Sequence, residues 1–217
     1  MTEQSSQIKN KKRVADHGEV FTHEREVQAM LDLVEHESFR IDSRFLEPAC
    51  GDGNFLAPVL KRKLERVKQR YVRSQSDFER NSLIALSSVY GVDILEDNVE
   101  ACRSRLFGIY DTTYAEAFGE STRADCLNAA RTILSKNILW GDALSMLRAD
   151  GSGDPIVFTE WTAVNGRKIK RREYTLANLL AYQPFEGESL FSDLGEQAFI
   201  PKPVREYPLV DYLELAE

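Results

Sequence analysis

The chain has 217 residues, of which 42% are hydrophobic and 29% charged, and a formal net charge of −7. That is one ordinary globular domain with enough apolar residues for a continuous core, and the acidic sum runs against a wholly basic nucleic-acid binder. No apolar run approaches the roughly 20 residues that span a bilayer, and the polar stretch Met1 to Arg13 lacks the apolar centre of a secretory signal, so a cytoplasmic location is expected.

Cys50, Cys102 and Cys126 are odd in number, widely spaced and without a C-x-x-C pair, and His17, His23 and His36 make no H-E-x-x-H pattern. Neither a disulfide framework nor a metal site is expected.

In chain order, residues 1–13 read as a flexible arm with a Lys-Lys-Arg cluster, residues 14–180 as the folded domain and residues 181–217 as an extended tail. Gly18 to Thr22 precedes a helix with Val27, Met30, Leu31 and Val34 at i, i+3, i+4 and i+7. Thr22 is the predicted N-cap, with Glu24 and Glu26 in the first turn. Such a terminus can offer backbone N–H groups to a carboxylate. Equally, Phe21 can staple onto its own helix.

Residues 45 to 56 read Phe-Leu-Glu-Pro-Ala-Cys-Gly-Asp-Gly-Asn-Phe-Leu: a short strand, a glycine turn and a helix start. In open α/β sheets a ligand sits at this place. A dinucleotide would want a third glycine where Leu56 stands, and an uncharged loop. Glu47 and Asp52 instead repel a pyrophosphate and favour a cation. S-adenosylmethionine (SAM), with a sulfonium, an ammonium and no phosphate, fits that charge pattern; a strand-turn-helix with no ligand is the bland alternative.

Leu56, Val59, Leu60, Leu64 and Val67 continue a helical stripe, while Lys61, Arg62, Lys63, Arg66, Lys68, Arg70 and Arg73 occupy the other faces. These cations read first as a solvated face and second as a surface that tracks phosphates. Ser76-Asp77-Phe78-Glu79 is a capping-box pattern for the next helix. Ser88 to Ile94 is a second strand ending on Asp93, whose carboxylate can accept two hydrogen bonds from a ribose diol. A helix through Val99, Cys102, Leu106 and Ile109 follows, then a loop over 111–121 and a helix over 122–135. Asn137 to Leu144 is a third strand, ending on Asp142. Glu47, Asp93 and Asp142 would line one edge of a parallel sheet, although any one of them can serve as a turn cap.

Beyond Asp142, Pro155 to Val164 alternates as a strand, Asn165-Gly166 is a two-residue hairpin turn, and Arg167 to Leu176 returns. Arg167, Lys168, Lys170, Arg171 and Arg172 on the returning strand either hold a phosphate backbone or protect a strand edge. The last residues carry scattered prolines and aromatics, read as a tail laid on its own domain.

The sequence resembles the SAM-dependent DNA adenine-N6 methyltransferases of restriction-modification systems. Gly18 to Thr22 is similar to their G-x-[VY]-[FY]-T-P element, with His23 in place of proline. Leu46 to Phe55 is similar to L-[ED]-P-[AS]-C-G-[SD]-G-x-F, Gly91 to Ile94 to the ribose-binding strand end, and Asn137 to Leu144 to N-I-x-x-G-D-A-L. The resemblance implies a Rossmann-like class I SAM methyltransferase core and SAM held by Phe21, Thr22, Glu47, Pro48, Ala49, Gly51, Gly53, Asp93, Ile94, Asp142 and Ala143. Phe21, Thr22, Glu47, Ala49 and Gly51 would meet its methionine end, Asp93 its ribose, Ile94 its adenine ring and Asp142 its adenine amino group.

The family's [DNS]-P-P-[YFW] signature is missing where it should end a fourth strand. Pro155 to Trp161 stands there, and Tyr182-Gln183-Pro184-Phe185 is only a lookalike. The expected sheet is therefore incomplete, with a C-terminal hairpin and an extended tail. Either a partner chain supplies the target-base site, or the chain is a non-catalytic SAM-binding accessory subunit; a nicotinamide-linked oxidoreductase is a remote third reading.

Overall fold

The structure, a computed structural model, describes residues 22–180 and 201–215. In chain order the elements are α1 (Glu24–Leu33), α2 (Glu35–Ser38), β1 (Phe45–Glu47), α3 (Leu56–Tyr71), α4 (Gln75–Ser87), β2 (Val89–Asp93), α5 (Glu96–Phe118), α6 (Ala124–Asn137), β3 (Ile138–Asp142) and β4 (Leu147–Arg148). They are followed by β5 (Val157–Ala163), β6 (Lys168–Thr175), α7 (Leu176–Leu180), β7 (Arg205–Glu206) and β8 (Val210–Asp211).

Strands β1, β2 and β3 lie parallel in that order, with Glu47 opposite Gly91 and Asp93 opposite Trp140, and β4 adds antiparallel to β3. Parallel strands need cover on both faces, because their crossovers bury them. Val89 and Ile138 face Leu56, Leu60 and Leu64 of α3, Leu86 of α4, Leu106 of α5 and Ile133 of α6. The opposite face, Tyr90, Val92 and Leu139, packs on Ile156, Phe158 and Leu176 from the hairpin. The result is a Rossmann-like α/β fold: helices, a parallel sheet, then a small antiparallel sheet of β5, β6, β7 and β8.

A few buried polar groups lock these layers together. Asn137 donates from Nδ2 to Ser87 O at 2.8 Å and accepts from Trp161 Nε1 at 3.2 Å, while the Tyr90 hydroxyl donates to Thr159 O at 3.2 Å. Thus β5 is latched to the sheet's second face and is not a fourth parallel strand.

Several local expectations shift. His23, rather than Thr22, precedes α1; its N–H is taken by Glu26 Oε2 at 3.2 Å, and only Val27 and Leu31 of the α1 stripe are buried. Helix α4 starts two residues early, because Ser74 Oγ accepts from Asp77 N at 3.4 Å and leaves Glu79 free to enter the core. The segment expected as a loop over 111–121 is helical to Phe118, with a 3-10 turn over Gly119–Ser121. Asp111, Thr112 and Thr113 are weak helix formers, but Tyr110, Tyr114 and Phe118, four apart, pack inward, the latter two on Phe78 with ring centroids 5.9 and 5.1 Å away.

The hairpin turn is three residues long. Val164 N donates to Lys168 O at 2.9 Å, leaving Asn165, Gly166 and Arg167 outside, with Gly166 at φ +59°. Lys63, expected on a solvated face, is fully buried. Among the described residues no helix is long and apolar enough to cross a membrane.

Candidate functional site

The carboxyl ends of β1, β2 and β3 bring Glu47, Asp93 and Asp142 to one edge. The loop after β1 is fixed by backbone geometry. Gly51 and Gly53 have φ of +53° and +87°, which other residues rarely adopt. A Cβ on Gly53 would also meet Cys102 Sγ at 3.0 Å, and one on Gly91 would meet Cys50 Sγ at 2.9 Å. Cys50 N donates to Val92 O at 2.9 Å, so the loop runs on beside β2.

Asp93 is the hub of this loop. Its Oδ2 accepts the Gly51 N–H at 2.8 Å, and its Oδ1 accepts Leu95 N at 2.9 Å and Asn98 Nδ2 at 3.3 Å. A carboxylate has about four acceptor positions, so the described residues leave one on Oδ2 untaken. Asp142 makes the same local turn, its Oδ1 accepting Leu144 N at 2.9 Å. The Ser145 hydroxyl and that N–H hold the Asp142 carboxyl below the ordinary range.

The three acids differ electrostatically. Glu47 is partly buried, which raises its carboxyl above the usual value against the opposing Ala49 N–H. No cation pairs with it among the described residues. Asp52, expected to add a second free negative charge, is instead 3.4 Å from Arg105 Nη1, which also donates to Asn54 Oδ1 at 2.8 Å. Of Glu47 and Asp52, only Glu47 is thus left without a cation among the described residues.

Apolar surface flanks the acids. Ile94 is 50% exposed and Leu144 94% exposed, and Trp140 Nε1 donates to Ile94 O at 3.0 Å, fixing the ring beside Ile94. Pro48, Ala49 and Ala143 lie in the loops that carry Glu47 and Asp142. Thr22 is exposed at the start of α1. Phe21 and the Tyr182 to Phe185 lookalike lie outside the described residues. Sequence reasoning missed Arg105, Trp140 and Asn98; only the pairing of Trp140 with Asp93 follows from strand register.

The basic hairpin does not form one patch. Alternation splits it, with Lys168, Lys170 and Arg172 on one face and Arg171 on the other. Acids also engage it. Arg167 Nε is 2.8 Å from Asp211, Lys170 Nζ 2.8 Å from Glu206, and Arg172 Nη1 3.3 Å from Glu160. Arg171 stacks over Tyr207, 3.4 Å from the ring centroid. Lys168 is exposed at the start of the strand.

The arrangement defines a Rossmann-like α/β domain whose strand ends carry three carboxylates beside a glycine turn. Over 67 residues, 30% of its length, the chain is 40% identical to a protein of Methanocaldococcus jannaschii that carries the provisional name of a type II restriction enzyme and methyltransferase. The chain spans about 6% of the length of that relative. No family model and no solved structure matches the chain.

Proposed function

We propose that this chain is the cofactor-binding part of a SAM-dependent DNA methyltransferase of the adenine-N6 type, in a restriction-modification system, with the target-base site supplied by a partner chain. Glu47 carries the reading: a partly buried carboxylate with no countercharge among the described residues, at the mouth of a glycine turn, is suited to a cationic nucleoside. The restriction-modification name of the partial relative supports it. The folded cofactor domain is taken as residues 14–180.

When bound, SAM supplies the electrophilic methyl group. In this reading Glu47, with Phe21 and Thr22, receives its amino-acid end, and Pro48, Ala49, Gly51 and Gly53 shape the turn against it. The remaining Asp93 acceptor takes a ribose hydroxyl, Ile94 covers the adenine ring, and Asp142 with Ala143 borders its amino group. These residues bind and orient the cofactor, and positioning is the main catalytic contribution.

The chain's own fourth-strand stretch is committed elsewhere. Phe158 is buried under the sheet, and Glu160 is held by Arg44 and Arg172. That observation favours a second reading, a non-catalytic SAM-binding accessory subunit. Incubation with labelled SAM and adenine-containing DNA, with and without the neighbouring gene products, separates the two. Label in adenine under any combination supports the transferase; none under all of them leaves the accessory role. Calorimetry showing tight binding of NAD and none of SAM would reverse both.

Two binding outcomes are expected. Asp93→Ala weakens SAM binding by about 1 to 3 kcal/mol through lost charge-assisted hydrogen bonds and a released Gly51 N–H. An unchanged affinity in a folded variant removes Asp93 from the site. The pH dependence follows from Glu47, whose pKa in the free protein is raised. Below that pKa the group is neutral and offers a cation nothing; above it the carboxylate attracts it. SAM affinity should therefore rise as pH climbs through that raised pKa and then level off, and Glu47→Gln should flatten the curve in titration calorimetry.

A further inference from the structure

A cavity of about 1010 Å³ opens at the ends of the strands opposite the glycine loop, where residues 39–44, α3, α4 and β5 meet. Phe39, Tyr71 and Trp161 give it aromatic surface, and Arg40, Arg44, Arg66 and Arg70 line it. Glu35 and Asp42 are its acids, so the lining is net positive in a chain of net charge −7.

The four arginines are not equivalent. Arg40 lies 3.5 Å from both Glu37 and Asp42, and Arg44 is bonded to Glu160. Arg66 and Arg70, one turn apart on α3, have no ion-pair partner among the described residues; Arg66 Nη1 donates to Gln69 at 3.3 Å. Two uncommitted guanidinium forks beside an aromatic ring suit phosphate and a stacked base together. An aromatic side chain can stack on the face of an unpaired base, whereas a duplex keeps its bases stacked on one another.

We propose that this groove binds single-stranded nucleic acid, with phosphates on Arg66 and Arg70 and a base against Tyr71. The assignment does not rest on methyl transfer, since the groove and the glycine loop lie at opposite ends of the strands.

Fluorescence anisotropy of the full chain with a labelled ten-nucleotide thymidine strand tests it, against a duplex of equal length, ATP and inorganic phosphate. The single strand should bind best. The double variant Arg66→Gln, Arg70→Gln should weaken it at least tenfold and reduce the salt slope by about 1.4, as expected for two lost single-strand phosphate contacts. Tyr71→Leu should weaken it about fivefold or more with the slope unchanged. The unfolding midpoint of each variant reports that the fold is intact. A wild-type chain that ignores the strand, a double variant that binds it like wild type, or ATP binding as tightly as the strand would each overturn the proposal.

Discussion

Replacing Lys63 with methionine is expected to lower unfolding free energy by about 3 kcal/mol or more, because buried acceptors lose their donor. The three N–H groups of Lys63 Nζ are shared among four acceptors, Arg40 O at 3.0 Å, Ile41 O at 3.3 Å, Ser88 Oγ at 2.8 Å and Ser43 O. One side chain thus ties the segment before β1 to the residue before β2, and methionine matches its length without any of these bonds. Burial pulls the ammonium from 10.5 to about 7. Between those values the unfolded chain binds more protons than the folded one, so stability should rise with pH across that window. Chemical denaturation of both proteins at pH 7 and pH 10 checks it: the rise belongs to wild type, and an equal rise in Lys63→Met would dissociate it from this residue.

A loss of about 3 to 5 kcal/mol is likewise expected for Glu79→Ala, since removing one partner strands the others in the core. Glu79 is fully buried. It accepts from Gln75 Nε2 at 2.9 Å, Tyr212 OH at 3.0 Å, Arg123 Nη1 at 3.3 Å and Tyr114 OH. Helices α4 and α5, the start of α6 and the C-terminal segment converge on this carboxylate. Both tyrosine hydroxyls are pushed above their ordinary range, first by burial. Tyr212→Phe removes one donor while leaving the carboxylate its other partners, and its smaller shift in denaturation midpoint should separate packing from the polar network.

The parts of the fold written in short stretches of sequence were legible. An apolar run, an acid and two glycines marked β1 and its turn, and the runs before Asp93 and Asp142 marked β2 and β3, because strand, turn and cap signals all act within a few residues. Contacts that close over long separations were not. Gly51 and Asp93 are 42 positions apart and Asp52 and Arg105 are 53 apart, and nothing near either member announces the other. Lys63 read as surface because a lysine on a basic helix is normally solvated; its burial depends on three carbonyls about 20 residues away. Asp111 to Thr113 read as a break because their weak propensity is local, whereas the packing of Tyr114 and Phe118 on Phe78 is tertiary.

The C-terminal segment has one more consequence. Strand β6 holds β7 and β8 along its edge, Asp211 is anchored by Arg167, and Tyr212 is sunk against Glu79. These attachments are non-covalent and long-range, so they should hold without a continuous chain between Leu180 and Pro201. Cleavage there should leave a nicked molecule whose two fragments co-purify, and a synthetic peptide covering 201–215 should restore a chain truncated at Leu180.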